Sequence, residues 1–379
     1  MRILLYTTGK VFSNARTGGM KRFVELSKYI NANFENVDLC SMDSIEIMKD
    51  NKFKECYSLE RPLNTRLKKL IPELAILLRN KKTIRQLKKK KYSLVIVFDV
   101  PTAIGLCLMG FHNIVLMLRK DMIGYEVVNT KKKGLNFFLK IAMQWFCESI
   151  CFYRSRLILT QCYYDLSCIC KRHPLLSKLI KSKTKIQINN VNPSWLAGNP
   201  PLVQRIEPPT FRICFIGDFN SDRKGHGLLL PVFCKLQKVH ANIELVVIGD
   251  GIQLDEYKEK YKSNKSITFL GRHNKPVVEL VKCNLLVVPS YADSCPNTVM
   301  EALYNHIPVI GSRAGGIPEI LGNDDALFDL TQASLYQKLD ELISNPSQLA
   351  NLKDMEEKRS LELTFNWSER IMNLIDIKK

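Results

Sequence analysis

Short runs of consecutive apolar residues recur along this chain, and each is followed by a longer stretch whose apolar positions fall every three to four residues. Runs of the first kind suit strands buried on both faces, and stretches of the second kind suit helices covering them. Their alternation predicts an α/β protein with parallel sheets. In the first half the predicted strands are Ile3–Thr7, Val37–Cys40, Leu94–Phe98, Ile114–Leu118, Leu157–Thr160 and Ile186–Ile188. Helical periodicity covers Met20–Ile30, Leu74–Lys89, Leu135–Phe152 and Asp165–Arg172.

Between Asn192 and Pro209 five prolines and one glycine interrupt the pattern, which reads as a linker between domains. A second series follows, with strands expected at Phe211–Ile216, Ile243–Ile248, Ile267–Phe269, Leu285–Val288 and Val309–Gly311. The expected organisation is one Rossmann-like domain over 1–195, a linker over 196–209, and a second Rossmann-like domain over 210–365. A final helix over 366–379, centred on Trp367–Ile377, is expected to cross back to the first domain. Two such domains imply a cleft between facing parallel sheets, where ligands of doubly wound folds sit.

Charge changes this picture. The 379 residues carry a formal net charge of +19. Residues 1–200 hold 35 Lys+Arg against 14 Asp+Glu, a net +21, whereas residues 201–379 hold 21 against 23, a net −2. The excess lies wholly in the first half and points to an anionic partner there. Its densest part runs from Arg61 to Lys91, where cations interleave with Leu67, Leu70, Leu74, Leu77, Ile84 and Leu87. That pattern reads either as basic amphipathic helices on a membrane interface or as solvated helix faces over an ordinary core. Lys131, Lys132 and Lys133 ahead of Leu135 and Phe138 form a second candidate contact.

No uninterrupted apolar run reaches the roughly 18 residues that a membrane span needs, and Leu135–Tyr153 is broken by Lys140 and Glu148. The first residues run straight into a strand pattern without a leader-like segment. The twelve cysteines and six histidines show no zinc spacing. Reduced thiols in a cytoplasmic protein, peripheral on the membrane's inner face, are expected. RNA- and DNA-binding text is absent, and the basic half lacks aromatic interleaving, so no nucleic acid partner is expected.

Candidate chemistry concentrates after residue 210. In the stretch from Val287 to Leu303, a buried strand ends at Pro289, a loop carries Asp293, and a helix begins near Pro296. Ser294 is the expected helix cap, with proline in the first turn. The N–H groups of Asn297, Thr298 and Val299 would then face an anion, and Glu301 lies further along the same helix. In Gly217-Asp218-Phe219-Asn220-Ser221-Asp222-Arg223-Lys224-Gly225, a strand end is followed by a basic pair that suits a diphosphate. Gly18 and Gly19 follow the first strand and let backbone approach a ligand closely.

These segments resemble the retaining glycosyltransferases of family 4, which have the two-domain GT-B fold. Asp293 and Glu301 stand at the two places of that family's E-x7-E signature, Asp replacing the first Glu. The resemblance implies that the first acid meets the donor sugar and the second the ribose. The family's G-R-x(5)-K-G loop matches at Lys224, which it implies neutralises the leaving diphosphate. Asp218 stands where the family has Arg, and Arg223 is the candidate substitute. Gly18-Gly19 matches its N-terminal glycine loop, and Arg272 stands in a loop that borders the base. Where relatives carry a His-Gly-x-Asp-like loop, this chain has Leu118-Arg119-Lys120-Asp121, with Arg119 at the His place and Asp121 as the acid.

The resemblance implies transfer of a sugar from a UDP- or GDP-sugar, with retention, to a lipid-linked, polysaccharide or lipopolysaccharide acceptor. Neither a metal nor any cofactor beyond the donor is then expected. An epimerase or phosphorylase of the same fold shares these grips. A non-catalytic scaffold binding membrane or nucleic acid is the alternative outside enzymes.

Overall fold

A computed structural model describes residues 1–13, 18–62, 72–130, 133–190 and 210–376. The expected linker, and Lys131 and Lys132, lie outside these residues, as does most of 61–71. The chain divides into two compact units: residues 1–123, 131–187 and 367–379 form the first, and residues 124–130 and 188–366 form the second.

The first unit is built on strands β1 (Ile3–Tyr6), β2 (Val37–Ser41), β3 (Glu55–Ser58), β4 (Leu94–Phe98), β5 (Ile114–Met117), β6 (Leu157–Thr160) and β7 (Thr184–Ile186). They pair in parallel in the order β3-β2-β1-β4-β5-β6-β7. Around them lie α1 (Gly18–Asn33), α2 (Ile45–Lys49), α3 (Pro72–Arg79), α4 (Lys81–Lys89), α5 (Val100–Leu108), α6 (Met122–Asn129), α7 (Leu135–Arg154), α8 (Tyr163–Arg172) and α9 (Ser177–Lys183). Most of α6 belongs to the second unit. β1, β2, β4 and β5 are buried along their whole length, which is why they appear in the sequence as unbroken apolar runs.

The second unit carries β8 (Phe211–Ile216), β9 (Ile243–Ile248), β10 (Ile267–Gly271), β11 (Leu285–Val288), β12 (Val309–Ser312) and β13 (Leu327–Phe328), parallel in the order β10-β9-β8-β11-β12-β13. Its helices are α10 (His226–Leu236), α11 (Leu254–Lys260), α12 (Val277–Leu280), α13 (Asn297–Tyr304), α14 (Ile317–Leu321), α15 (Gln332–Ser344) and α16 (Pro346–Glu362). Both sheets reverse their winding beside the unit's first strand, between β1 and β4 and between β8 and β11. Ligands of doubly wound sheets bind past the carboxyl ends of the strands at that reversal. The last helix, α17 (Trp367–Leu374), packs on α1, with the Arg22 guanidinium 4.8 Å above the Trp367 ring.

Several details depart from the sequence reading. The strand expected at 186–188 lies at Thr184–Ile186. The helix expected over 74–89 is two helices broken at Asn80, whose buried amide accepts from Glu60 N–H at 2.8 Å and donates to Glu60 C=O at 2.9 Å. In α4 the apolar side is spent on the core: Ile84 and Leu87 are fully buried and the cations point outward. This helix therefore offers a membrane charge but no apolar surface.

Glu356 on α16 is buried in the second unit and accepts the Val309 N–H at 2.9 Å, which holds the start of β12. Burial pushes its carboxyl well above the usual range. Such a group leaves stability intact below the ordinary carboxyl pKa and drains it as pH rises toward the raised value, because only the unfolded chain ionises freely. Glu356→Gln keeps the acceptor without the charge. It should melt like the natural chain near pH 4.5 and several degrees higher at pH 8. A difference in melting temperature that ignores pH would contradict this account.

Candidate functional site

The loop leaving β8 is folded by its own sequence. Gly217 donates its N–H to Ile248 C=O at 3.0 Å, and a Cβ there would stand 2.8 Å from the Phe215 ring and 3.0 Å from Lys224 Cβ. Phe219 is fully buried and stacks on His226 at 4.3 Å, pinning the loop to α10. Asp222–Lys224 then make a 3-10 turn closed by Gly225, whose φ of +78° is left-handed. Gly225 packs its Cα against the Pro289 carbonyl, so no side chain fits there. The turn delivers Arg223 and Lys224 to the carboxyl ends of β8 and β11.

The loop leaving β11 meets them. Lys224 Nζ forms an ion pair with Asp293 Oδ2, and Arg223 stands 3.7 Å from the same oxygen. All three side chains are mostly buried. Arg223 also donates to Asp218 Oδ2 at 2.9 Å and to Ala292 C=O at 2.8 Å. Asp218, standing where an arginine was expected, is thus the partner that orients Arg223. From behind, Gly316 N–H donates to Asp293 C=O at 2.8 Å, and Gly315, at φ +60°, packs against the Asp293 backbone.

Tyr125, from α6, completes the cluster. Its hydroxyl accepts Ser294 N–H at 3.0 Å and lies 3.5 Å from Asp293 Oδ1, while the Arg223 guanidinium sits 5.0 Å over its ring. Burial, and then the Asp293 charge, push its pKa up, so the phenol keeps its proton. The sequence reading missed Tyr125, because 168 positions separate it from Asp293 and nothing local marks it.

Helix α13 begins one residue later than expected. Pro296 itself is the cap, with an extended backbone and no side-chain cap hydrogen bond, so Ser294 does not cap the helix. Its N–H instead bonds Tyr125. Val299 is fully buried and its N–H bonds Pro296 C=O at 3.2 Å, which removes it from the expected anion-facing set. Asn297 and Thr298 are half-buried at the helix start, and Asn297 Oδ1 accepts from Asn189 at 3.2 Å. Glu301, half-buried, lies one turn after Asn297 on the same helix face. Arg272 is exposed past the end of edge strand β10, two strands from the reversal and apart from this cluster.

In the first unit, Gly18 and Gly19 form the opening turn of α1 rather than a loop before it. Arg119, past β5, lays its guanidinium where a Gly19 side chain would project. It is fixed by Asp99, past β4, whose carboxylate accepts Arg119 N–H at 2.9 Å and Nε–H at 2.7 Å. Asp99 itself is buried and has a φ of +62°. Asp121 does not join Arg119. It is buried in a bidentate pair with Arg172, at 2.6 and 3.1 Å, and Arg172 also binds Glu148. Glu148 in turn meets His173 Nε2 at 2.9 Å. This network satisfies Asp121 structurally and leaves Arg119, with Gly19 and Asp99, as the polar group at the reversal of the first sheet.

Residues 210–345, which hold the whole Lys224–Asp293–Glu301 region, match the family model described as Glycosyl transferases group 1. An uncharacterized glycosyltransferase of Methanocaldococcus jannaschii is 29% identical over 194 residues, 49% of this chain and 48% of that protein. The gpi3 subunit of phosphatidylinositol N-acetylglucosaminyltransferase from Schizosaccharomyces pombe is 27% identical over 146 residues, 35% of this chain and 32% of that protein. The matches therefore span half or less of these curated relatives. Anabaena HepE, solved in complex with UDP and glucose, superposes with a TM-score of 0.69 at 13% identity, covering both chains completely.

Proposed function

We propose, from the match of residues 210–345 to the glycosyl transferases group 1 model and from the GT-B fold of the chain, that this protein transfers a sugar from a UDP- or GDP-sugar to an acceptor. The acceptor is lipid-linked, a polysaccharide or a lipopolysaccharide, and the anomeric configuration is retained. The observation that carries the reading is the Lys224–Asp293 ion pair at the sheet reversal, beside the α13 terminus that bears Glu301.

In this reading the arriving diphosphate takes Lys224 over from Asp293 and frees the carboxylate for the hydroxyls of the sugar. Glu301 accepts from the ribose hydroxyls. The N–H groups of Asn297 and Thr298 face phosphate oxygens. As the bond from the anomeric carbon to the diphosphate breaks, Lys224 and Arg223 offset the charge that develops on the leaving group, so the proposal calls for no metal. The acceptor oxygen bonds the same face of that carbon, and its proton passes to the departing phosphate. The +21 charge of residues 1–200 supports an anionic membrane surface as partner and a place on the inner face of the cytoplasmic membrane. The gpi3 relative, named for a phosphatidylinositol substrate, supports a lipid acceptor.

A thermal-shift panel of nucleotides and nucleotide sugars tests the donor assignment. A ligand at about 100 times its Kd adds about 2.7 kcal/mol, so UDP or GDP should raise the melting temperature by several degrees. Glu301→Ala should abolish that shift. A shift of equal size in Glu301→Ala would refute the assignment of the ribose contact. Product analysis with the stabilising sugar nucleotide distinguishes transfer from epimerisation.

A further inference from the structure

Helix α7 in the first unit is amphipathic the wrong way round. Its second half is anchored by the buried Glu148, Cys151 and Phe152. Its first twelve residues, 135–146, are exposed on almost every side, with only Phe137, Ile141 and Gln144 half-buried. Leu135, Phe138, Leu139, Ala142, Met143 and Phe146 recur at intervals of three and four, which makes one continuous stripe. An ordinary surface helix turns such a stripe to the core. Here it faces outward: Leu135 is 76% exposed, Phe138 and Leu139 59%, Met143 40% and Phe146 56%. A contiguous apolar surface of this kind marks a binding face.

We propose that this stripe inserts into the interfacial layer of an anionic lipid bilayer and anchors the first unit there. This deepens the membrane partner of the proposed function, and the purpose of the anchoring rests on the transfer reading above. Three observations select lipid as the occupant. Twelve residues rise about 18 Å, enough to lie along an interface and short of the ~30 Å hydrocarbon core. No helix among the described residues is long and apolar enough to cross a membrane. The flanking charges are Lys133 and Lys140, both exposed, in a half of the chain that carries +21. A second copy on this face would bring like charge together, whereas anionic headgroups neutralise it. Large aromatic and aliphatic side chains beside lysines are the composition that interfacial helices use. This differs from docking by the outward cations of α4, whose apolar residues are consumed by the core.

The test is co-sedimentation of the full chain with phosphatidylcholine/phosphatidylglycerol vesicles at 7:3, at about 0.1 M and about 1 M salt. At 1 M the screening length falls to about 3 Å, so purely electrostatic binding disappears and inserted apolar side chains hold. The natural chain should remain partly bound at 1 M. Phe138→Ser combined with Leu139→Ser should lower partitioning at least tenfold at both salt concentrations, with circular dichroism and melting unchanged. Binding by the double variant equal to that of the natural chain would overturn the proposal, as would complete release of the natural chain at 1 M. A dimer that the two substitutions split, without vesicle binding, would assign the face to a second copy and also overturn it. Trp145, 43% exposed on α7, gives a measurement that needs no apolar-stripe variant. Brominated lipid should quench a component of the natural chain's fluorescence that Trp145→Phe lacks; absence of that component counts against insertion. UDP and GDP binding by calorimetry keeps the two readings apart. Nucleotide binding without vesicle binding sinks the anchoring and the membrane partner and leaves sugar transfer standing, and the converse sinks the transfer reading alone.

Discussion

Lys224→Ala should lower sugar transfer by a factor of about 10²–10³, the cost of removing one preorganised charge from a developing anion. The side chain sits at the end of a 3-10 turn that is held by Gly225 against Pro289 and by Arg223 on Ala292, not by Lys224 itself, so the loss is expected without rearrangement of the sheet. Stability changes as well, because Asp293 is mostly buried and, among the described residues, would keep Arg223, 3.7 Å away, and Tyr125 as side-chain partners. Breaking such a pair from one side leaves a poorly compensated charge. Lys224→Ala should therefore melt lower, and adding Asp293→Asn should restore the melting temperature without restoring turnover. Parallel measurement of initial rates and thermal melting separates the two effects. Rates within a factor of three of the natural chain in Lys224→Ala would remove the lysine from the chemistry.

Gly225→Ala is expected to be among the most disruptive single methyls in the second unit. Its φ of +78° costs a non-glycine residue about 1–2 kcal/mol. The added carbon also collides with the Pro289 carbonyl, a backbone group that cannot swing aside. Together these should cost about 3–5 kcal/mol, at the upper end of single substitutions, and lower the unit's melting temperature by about 10 °C. Because Gly225 joins the β8 and β11 loops, nucleotide-induced stabilisation should fall with it. A melting temperature within 2 °C of the natural chain, with an undiminished nucleotide shift, would show that the two loops tolerate a wider spacing.

What could be read from the sequence follows from how local each cause is. β4 and β11 are apolar because both their faces are covered, and that fact is written into consecutive residues. β3 is half-buried and its Glu55 is satisfied by Arg2 and Lys90, each at 2.5 Å from other parts of the chain, so Glu-Cys-Tyr-Ser carries no strand signal of its own. β13 has only two residues, too few for any period. The break at Asn80 depends on the Glu60 backbone, twenty positions away.

The candidate site divides in the same way. Arg223, Lys224, Asp293 and Glu301 lie beside strand ends and glycines that announce a loop, so they could be nominated from text alone. The partnership of Asp218 with Arg223 turned an apparent defect into a support, and only coordinates reveal that. Asp121 was nominated by its neighbour in sequence, Arg119, but the buried Arg172 on α8 claims it. Ser294 has the chemistry of a cap, but the helix starts at Asn297 with Pro296 in the cap place.

The first unit is assembled from chain segments that bracket the second. Arg22, only 3% exposed, lies under Trp367 and pairs with Glu25 at 3.1 Å. During synthesis α1 emerges early, but its cover arrives only after the entire second unit has left the ribosome. Until then the Arg22 face of α1 stands open to solvent and to chaperones. The first unit is therefore sealed only once Trp367 can be laid over Arg22.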